Sequence, residues 1–558
     1  MSPLPSKFPR PASGWQEGHE MKGSDLVVES LEKAGTKWAF GIPGAKIDAL
    51  FDALADSSIQ TIVCRHEQNA AFMAQAIGRM TGEPGIAIAT SGPGTSNLAT
   101  GLLTANTEGD PVVALCGDVP RDMQMKRTHQ AFDSLALLKS VSKGAEKVID
   151  PGQIQEALFN AIRKSLIYPR GAQSLVFCQD VLSQDATGGM PLLMPPLRSA
   201  APIEVLHETA ERIRKAQLPV FFVGRRGSSR RSVEALHLLL RQAPIPVVET
   251  FQGSGAVSHD LESLYMGRVG IFGNQPGDEL LRRSDCVVAI GYDPVEYDAK
   301  LWNQGEEDRE LIHIDELPCQ VDRDYSPNLE ATGDIEKSLL ALAPMLSGLR
   351  PKSEALAEMR KLSQELEEEP CLEQSGRVDP VEAVKAIRRA VPDSGTVISD
   401  VGSVYIYMAR YFRSYVPGHL FFSNGQQTLG VALPWAIAAS ISGRDPVVSV
   451  SGDGGFLFSA AELETAVRIG ARFVHVVFDD GSYDMVGFQE EMKYRRRSGV
   501  NLGAVDIPEF AKSFGADGFV ARSPRELEDI IRASLSAPRP VVIDVPVNYS
   551  GNISALAQ

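Results

Sequence analysis

The chain has 558 residues, of which 43% are hydrophobic and 23% are charged, and its formal net charge at pH 7 is −16. This length allows about three domains, and the composition is that of a globular protein. The negative charge argues against nucleic acid or an anionic membrane as a partner. The sequence contains no run of 18 or more apolar residues, so it predicts no membrane-spanning helix.

Two features bear on the cellular compartment. The six cysteines lack CxxC spacing, and several lie in apolar runs, which indicates buried free thiols and a reducing, cytoplasmic setting. Residues 1–20 are rich in Pro, Ser and basic residues, with no acid before Glu17 and no apolar core of a secretory signal. We interpret residues 1–20 as a disordered tail, with a short organelle transit sequence as the alternative.

Strands alternate with helical stretches along the chain, which predicts parallel sheets covered by helices. We expect an α/β protein with three doubly wound domains, in which two domains of similar strand rhythm flank a middle one. The predicted boundaries are residues 21–186, 203–350 and 375–550. The predicted strands are residues 38–40, 61–64, 85–89, 112–116, 174–178, 220–224, 245–249, 285–291, 311–315, 396–399, 419–422, 446–451, 473–478 and 541–545.

The stretch from Val448 to Val486 reads as strand, glycine turn, helix, strand and acidic turn. Gly454 and Gly455 allow close approach of the backbone to a ligand, and the following helix offers N–H groups to phosphate oxygens. One βα crossover would bring Asp453 and Asp480 to the carboxyl edge of neighbouring parallel strands. Two acidic oxygens suit a hard cation such as Mg²⁺ that also holds phosphate. An ordinary βαβ unit with solvated aspartates is the alternative.

This Gly-Asp-Gly turn, with Asp480 and Gly481 at this distance, resembles the diphosphate and metal motif of thiamine-diphosphate-dependent enzymes. The resemblance implies thiamine diphosphate and Mg²⁺ as cofactors, with Asp453, Asp480 and the backbone carbonyl of Ser482 as metal ligands. Many members of the family have Asn where Asp480 stands. The implied fold has a pyrimidine-binding domain and a diphosphate-binding domain on either side of the middle domain.

Glu67 follows the second predicted strand and begins a helix. The resemblance implies that Glu67 hydrogen-bonds the pyrimidine nitrogen of the cofactor and assists proton removal from its thiazolium ring. A helix-terminal glutamate that is stabilised by the helix dipole is the alternative. By the same resemblance Leu429 separates the two cofactor rings, the Gln427 carbonyl accepts from the aminopyrimidine, and Val404 departs from the usual residue. The full set of implied cofactor contacts is Pro43, Gly44, Thr90, Val401, Gly402, Ser403, Gln427, Leu429, Gly454, Gly455, Tyr483, Met485 and Val486.

Longer strings resemble the catabolic acetolactate synthases over nearly the whole chain after the first 20 residues. The strings are residues 40–48, 65–73, 90–94, 267–270, 423–435 and 488–494. The resemblance implies condensation of two pyruvate molecules to 2-acetolactate with release of carbon dioxide, on the route to acetoin, without a requirement for FAD. Anabolic members carry Trp at the place of Gln489, so glutamine there points to pyruvate as the second substrate.

Lys46 and Gln130 resemble active-site positions of the catabolic group. A lysine charge suits a pyruvate carboxylate, and a solvated surface lysine is the alternative. The family builds its active site between subunits, which implies a homodimer or homotetramer in which Glu67 of one subunit meets Asp453 and Asp480 of another.

Two other functions stay open at this point. A different thiamine-diphosphate enzyme acting on pyruvate, an oxidase or a decarboxylase, would share Glu67 and the metal turn. A non-catalytic regulatory paralogue would be expected to lose Glu67 or Asp453, and both are present. A nicotinamide dehydrogenase lacks support, because no Gly-x-Gly-x-x-Gly turn with a following acid occurs.

Overall fold

The computed structural model describes residues 20–192, 195–270, 273–303, 309–351, 355–367 and 376–549. The predicted tail lies outside the described residues except for its last residue, Glu20, and Cys371 lies outside them as well. Three six-stranded sheets, all parallel, are covered by helices on both faces. This arrangement confirms the predicted fold class. The domain boundaries given above stay predictions.

The first sheet is formed by alternating strands and helices. Strands are β1 (Glu20–Lys22), β2 (Trp38–Gly41), β3 (Gln60–Val63), β4 (Gly85–Ala89), β5 (Val112–Asp118), β6 (Gly144–Val148), β7 (Ala172–Cys178) and β8 (Asp185–Thr187). Helices are α1 (Gly23–Lys33), α2 (Asp48–Ala55), α3 (Glu67–Thr81), α4 (Pro93–Asn97), α5 (Ala99–Glu108), α6 (Ser134–Val141), α7 (Ile154–Leu166) and α8 (Gln179–Ser183). The strand order is β3-β2-β4-β5-β7-β6, and β1 pairs with β8 in a separate antiparallel ribbon.

The middle sheet has a different order. Its elements are α9 (Ile203–Lys215), β9 (Pro219–Val223), α10 (Arg230–Gln242), β10 (Val247–Thr250), β11 (Tyr265–Val269), α11 (Pro276–Arg283), β12 (Cys286–Ile290), α12 (Ala299–Trp302), β13 (Glu310–Asp315), β14 (Leu329–Thr332), α13 (Ile335–Leu346) and α14 (Ala355–Glu367). The order β11-β10-β9-β12-β13-β14 is that of the dinucleotide-binding fold, in which the strand order reverses between the first and fourth strands.

The third sheet repeats the order of the first. Its elements are α15 (Pro380–Ala390), β15 (Thr396–Ser399), α16 (Ser403–Tyr411), β16 (Leu420–Phe422), α17 (Ala432–Ile441), β17 (Val447–Gly452), α18 (Asp453–Ser459), α19 (Glu462–Arg468), β18 (Val474–Asp479), α20 (Asp484–Tyr494), α21 (Ile507–Ser513), β19 (Asp517–Val520), α22 (Pro524–Ser534) and β20 (Val541–Pro546). Their order is β16-β15-β17-β18-β20-β19. Two related domains therefore flank the middle one.

Burial explains which residues form the sheets. The central strands β5, β7 and β12 are buried along their whole length, because helices cover both faces. Within the three six-stranded sheets, the strands absent from the sequence prediction are β6, β11, β14 and β19, and all four lie at a sheet edge. Helix α3 packs on α17, so one hydrophobic core runs from the first domain into the third and includes Phe72 and Trp435. In the described part of the chain, no helix is long and apolar enough to cross a membrane.

Candidate active site

The carboxyl edge of the third sheet brings two predicted turns together. Strands β15 and β17 are neighbours, and they lead into the turns that begin at Asp400 and Asp453. The strand order reverses between them, which is where open α/β sheets bind ligands. A Cβ on Gly455 would lie 3.3 Å from Asp400 Cγ, so the two turns are in contact.

Asp400 organises this edge, although the sequence analysis assigned it no role. Its Oδ1 accepts from Val401 N at 2.7 Å and from Gly430 N at 3.0 Å, and its Oδ2 accepts from Ala432 N at 3.1 Å. Burial raises the pKa of Asp400 to about 6. The carboxylate therefore fixes the backbone at Gly430 and Ala432 against the turn that begins at Asp400. An acid directly before a glycine turn at a strand end was the available signal.

The next residues of this turn are Val401, Gly402 and Ser403, and the side chain of Ser403 already has a hydrogen-bond partner. Gly402 has φ 128°, in a region that favours glycine, and no described atom beyond its two chain neighbours lies within 4 Å of the position of an added Cβ. Val401 is buried. Ser403 Oγ donates to Asp484 Oδ2 at 2.7 Å, so the hydroxyl expected on the diphosphate is bound to a carboxylate here. The open side of Gly402 leaves the backbone accessible to a ligand.

The acidic turns after β17 and β18 form the second half of the edge. Asp453 is 6% exposed, and in the described part of the chain its Oδ1 has no hydrogen-bond partner. Burial, followed by repulsion from Asp480 and Asp479, raises the pKa of Asp453 to about 7. Burial, with Asp484 and Asp479 adding repulsion, raises the pKa of Asp480 to about 6. An unpartnered oxygen between mutually repelling carboxylates is the environment that a divalent cation would neutralise.

The loop around these carboxylates is held by a side-chain hydrogen bond and a backbone hydrogen bond. Ser482 Oγ donates to Asp480 Oδ2 at 2.6 Å, and Tyr483 N donates to Val500 O at 2.8 Å. A Cβ on Gly454 would lie 2.5 Å from Tyr483 Cε1, so the ring requires glycine there. Among the described residues, no group of three or more His, Cys, Asp or Glu side chains could hold a metal ion. A cation at this turn would therefore take further ligands from backbone and phosphate oxygens, as Mg²⁺ does.

The segment with Gln427 and Leu429 is fixed by the first domain of the same chain. Glu108 Oε1 accepts from Asn424 N at 2.7 Å and from Gly425 N at 2.5 Å. Gln427 is exposed and has φ 46°, a left-handed conformation that is rare outside glycine. Leu429 is half-buried. Strain that the surroundings hold in place is typical of ligand-binding segments.

The carboxyl edge of the first sheet collects the other predicted residues. Lys46 N donates to Thr90 Oγ1 at 3.4 Å, and Lys46 Nζ donates to Gln179 Oε1 at 3.1 Å. Gly44 packs on the Thr90 side chain, where a Cβ would lie 2.7 Å from Thr90 Cβ, and Pro43 is exposed. The strand order reverses between β2 and β4, so this edge is the counterpart of the edge at Asp453.

Glu67 begins α3 at the same edge and is 8% exposed. Its Oε2 accepts from Asn97 Nδ2 at 2.9 Å, and its Oε1 lies 3.4 Å from the position of a Cβ on Gly94. Gln130 lies near the same edge, since its Oε1 accepts a hydrogen bond from Ser91 Oγ at 3.4 Å. Gln130 also has a left-handed backbone, with φ 62°.

Glu462, which the sequence analysis did not single out, positions the start of α3. Its Oε1 accepts from Arg65 N at 2.9 Å, from His66 N at 3.1 Å and from Asn69 Nδ2 at 3.1 Å. The side chain is fully buried, and burial raises its pKa. No local pattern could have indicated this contact, because 397 positions separate Glu462 from Arg65.

Helix α20 carries the last predicted residues. Gln489 and Val486 are exposed, whereas Met485 is partly buried against the core of the third domain. The structure thus collects one set at the first sheet, with Lys46 and Glu67, and another at the third sheet, with Asp453 and Asp480. Within the described part of one chain, no hydrogen bond or ion pair joins the Lys46, Glu67 and Gln130 side chains to those of Asp453, Asp480 and Gln489.

Comparison with known proteins defines the class. Residues 21–137 match the model of the thiamine pyrophosphate enzyme N-terminal TPP binding domain, residues 206–342 that of the central domain, and residues 400–545 that of the C-terminal TPP binding domain. The two flanking sheets with the same strand order are thus the two thiamine-diphosphate-binding domains. The chain has the three-domain organisation of a thiamine-diphosphate enzyme.

Individual relatives indicate which family of thiamine-diphosphate enzymes the chain belongs to. The chain is 49% identical to an acetolactate synthase of Bacillus subtilis over 538 residues. The matched residues cover 96% of this chain and 94% of the relative. It is 42% identical to a catabolic acetolactate synthase of Raoultella terrigena over 542 residues, and this match covers 96% of this chain and 97% of the relative. Identity to the large subunit of acetolactate synthase isozyme 2 of Escherichia coli is 27% over 549 residues. The chain belongs to the acetolactate synthase family, which confirms the expected enzyme and sets aside the regulatory paralogue.

Proposed function

We propose that this enzyme condenses two pyruvate molecules to 2-acetolactate, with release of carbon dioxide, in the catabolic route to acetoin. The supporting observation is the 42% identity to a catabolic acetolactate synthase along nearly the whole of both chains. Gln489, which stands where the sequence resemblance places Trp in anabolic members, supports pyruvate as the second substrate. The roles assigned below to individual residues are part of this proposal.

Asp453 and Asp480 would hold Mg²⁺ together with the carbonyl of Ser482. The fit rests on the unpartnered Asp453 Oδ1 and on the repulsion between the two carboxylates. The N–H groups at Gly454 and Gly455, at the start of α18, would bind the diphosphate. Thiamine diphosphate, when bound, supplies the electron sink that makes decarboxylation of a 2-keto acid feasible.

Glu67 would hold a proton at the pyrimidine nitrogen of the cofactor. Asn97 donates to Oε2, which leaves Oε1 at the edge near Gly94 for this contact. Lys46 would bind a pyruvate carboxylate, because its ammonium group stands at the same edge and pairs there with a neutral amide, that of Gln179. Gln130 and Gln489 would position the two substrates as hydrogen-bonding side chains.

The active unit in this proposal is a homodimer or homotetramer. The two sets of site residues lie on different sheet edges of one chain, so a second chain would complete each site. Exposed apolar side chains on α18 and α20 support such an interface. They are Leu457, Phe458, Val486, Met492 and Tyr494.

We propose that FAD is not required. The strand order of the middle sheet reverses between β9 and β12, where a dinucleotide would bind. There Arg226 donates to Asp293 at 2.6 Å and to Asp315 at 2.8 Å, so ion pairs of this chain occupy part of the crevice, beside a cavity of about 570 Å³. The described cysteines are free thiols, which supports a reducing, cytoplasmic location.

Product analysis tests the reaction. Purified protein is incubated with pyruvate, thiamine diphosphate and Mg²⁺, without added flavin, and flavin is assayed in the preparation. We expect 2-acetolactate, and its loss in Glu67→Gln. Acetaldehyde or acetate in its place would contradict the assigned reaction. Gln489→Trp is expected to raise the use of 2-ketobutyrate as acceptor relative to pyruvate.

Subunit mixing tests the shared site. Glu67→Gln and Asp453→Asn proteins are each expected to be inactive. After co-refolding in equal amounts, half of the dimers would be mixed, and one of their two sites would carry neither substitution. We therefore expect about one quarter of wild-type activity for a site built between subunits. No recovery, with dimers formed, would place each site within one chain.

A further inference from the structure

A basic cavity lies between the middle and third domains, away from both sheet edges described above. Its volume is about 320 Å³. Strand β11 and the start of α11 form one wall, and helices α15 and α16 form the other. The lining contains six basic side chains and, among the described residues, no acidic one. The basic residues are Arg268, Lys385, Arg388, Arg389, Arg410 and Arg413.

Arg268 is the most informative member of this lining. It lies on β11 and is 5% exposed. Its Nη1 donates to Ala409 O and Phe412 O, both at 2.9 Å, at the end of α16. In the described part of the chain, Arg268 Nε and Nη2 have no hydrogen-bond partner. These two atoms form the edge of a guanidinium group that binds an oxyanion through two parallel hydrogen bonds.

Two further arginines have spare donors at the same cavity. Arg410 Nη1 donates to Asn274 Oδ1 at 2.8 Å, and Arg413 Nη2 donates to Glu262 Oε2 at 2.8 Å. No described acceptor pairs with the Nε atom of either arginine. Buried N–H groups without partners are uncommon, so three such arginines in one lining require an explanation.

A purely structural role accounts for part of the cluster. Arg268 caps α16, and Arg413 stacks over Tyr265 with its guanidinium carbon 3.6 Å from the ring centre. Capping uses Nη1 of Arg268 and leaves its other edge unused. The buried Glu249, 3.6 Å from Arg413 Nη1, opposes the charges of two arginines, and burial raises its pKa. Four of the six basic side chains also pair with a carboxylate of their own, but no described contact satisfies Nε and Nη2 of Arg268 or the Nε atoms of Arg410 and Arg413.

We propose that this cavity binds a small phosphate-bearing anion, held by the free edge of Arg268 and by Arg410 and Arg413. A phosphate group offers three oxygens, which matches donors that approach from two domains. Lys385 and Arg389 lie at the outer rim, where each pairs with a half-buried glutamate. They would add attraction at longer range.

Helix α16 connects the cavity to the candidate active site. Helix α16 begins at Ser403, in the predicted diphosphate turn, and ends at the carbonyls that Arg268 holds. An anion bridging β11 and α16 would stabilise the packing of the middle domain on the third domain by binding the folded state. The inference does not depend on the proposed reaction, since binding is measured without turnover.

Calorimetric titration tests the site. The protein is first saturated with thiamine diphosphate and Mg²⁺, so that a second phosphate site is not left open. Inorganic phosphate and glycerol 3-phosphate are then titrated separately, at ionic strength matched with chloride. We expect one saturable site per chain, with affinity reduced at least about tenfold in Arg268→Lys, which keeps the charge but loses the planar edge.

A rim variant and a matched control complete the test. Lys385→Gln combined with Arg389→Gln is expected to weaken binding several-fold. Lys512→Gln combined with Arg525→Gln removes two exposed, ion-paired charges from the same domain and should leave the affinity unchanged. Tighter binding of inorganic phosphate would identify the ligand as free phosphate, and tighter binding of glycerol 3-phosphate would identify it as a phosphate ester. Absence of saturable binding, or equal affinity in the wild type and the rim variant, would overturn the proposal.

Discussion

Replacement of Glu462 provides a sharp test of how the third domain positions the start of α3, where Glu67 stands. Glu462 Oε1 accepts three hydrogen bonds, from Arg65 N, His66 N and Asn69 Nδ2, and its Oε2 accepts from Thr465 Oγ1 at 2.6 Å. Glu462→Ala removes the common acceptor and leaves three donors unpaired. Each buried unsatisfied group costs about 1–3 kcal/mol, and water that enters the new space recovers part of this. We expect a net destabilisation of about 3–5 kcal/mol.

Glu462→Gln is the matched control. The amide keeps one oxygen for the three donors, and its NH₂ group can donate to the Thr465 hydroxyl, so the cost should stay below about 1 kcal/mol. The pKa of Glu462 is raised by burial, so its ionised form is disfavoured in the folded protein and this cost grows as pH rises. The neutral glutamine does not carry that cost, and the control should become relatively better at higher pH.

Two measurements separate the outcomes. Thermal unfolding reports stability, and steady-state formation of 2-acetolactate reports whether Glu67 is still in place. We expect Glu462→Ala to lower kcat at least about tenfold with a smaller change in KM, because it displaces Glu67 and not the substrate contacts. Equal damage from Glu462→Gln and Glu462→Ala would refute the hydrogen-bond argument, and so would a wild-type melting temperature for Glu462→Ala.

Three further predictions concern the edge of the third sheet. Gly454→Ala should weaken thiamine diphosphate binding about tenfold in calorimetry, because the new Cβ would lie 2.5 Å from Tyr483 Cε1. A smaller loss when Gly454→Ala is added to Tyr483→Ala than when it is added to the wild type would confirm the clash, and unchanged affinity of the single variant would contradict it. Asp453→Asn should stabilise the cofactor-free protein at pH 8 by about 2 kcal/mol after allowance for solvent screening, since the folded pKa of about 7 exceeds the ordinary value of 3.8. This gain should grow between about pH 4 and pH 7 and level off above, whereas Mg²⁺ with thiamine diphosphate should stabilise the wild type alone; a gain that is independent of pH would contradict the pKa argument. Asp400→Asn places an NH₂ group against a backbone N–H and should cost about 1–3 kcal/mol in thermal unfolding; an unchanged melting temperature would contradict this argument.

The sequence predicted the interior of each sheet better than its edges. Strands β5 and β12 are buried on both faces, so their apolar runs are continuous and easy to recognise. Strand β6 carries Glu146 and Lys147, and β19 alternates buried and exposed positions. Such edge strands have one neighbour and partial solvent exposure, so their composition resembles that of loops. Tertiary pairing, and not local preference, makes them strands.

The candidate site also contains features that a local sequence motif predicts and contacts that it does not. The turns at Asp453 and Asp480 were predictable because a short glycine motif and a following acid lie within one βαβ unit. The contacts of Glu462 with α3 and of Glu108 with Asn424 and Gly425 join distant parts of the chain, and neither end carries a recognisable pattern. Long-range hydrogen bonds of this kind depend on how two domains pack, which a single sequence does not encode locally.

The packing of α3 on α17 joins the first and third domains, whose sheet edges carry the two sets of candidate site residues. This contact buries Phe72 and Trp435 in a core shared by the first and third domains. Both sets lie at carboxyl edges of sheets with the same strand order, so in the proposed dimer a two-fold axis can bring unlike edges of two chains together twice. The internal core and the proposed intersubunit site thus follow from one arrangement of related domains.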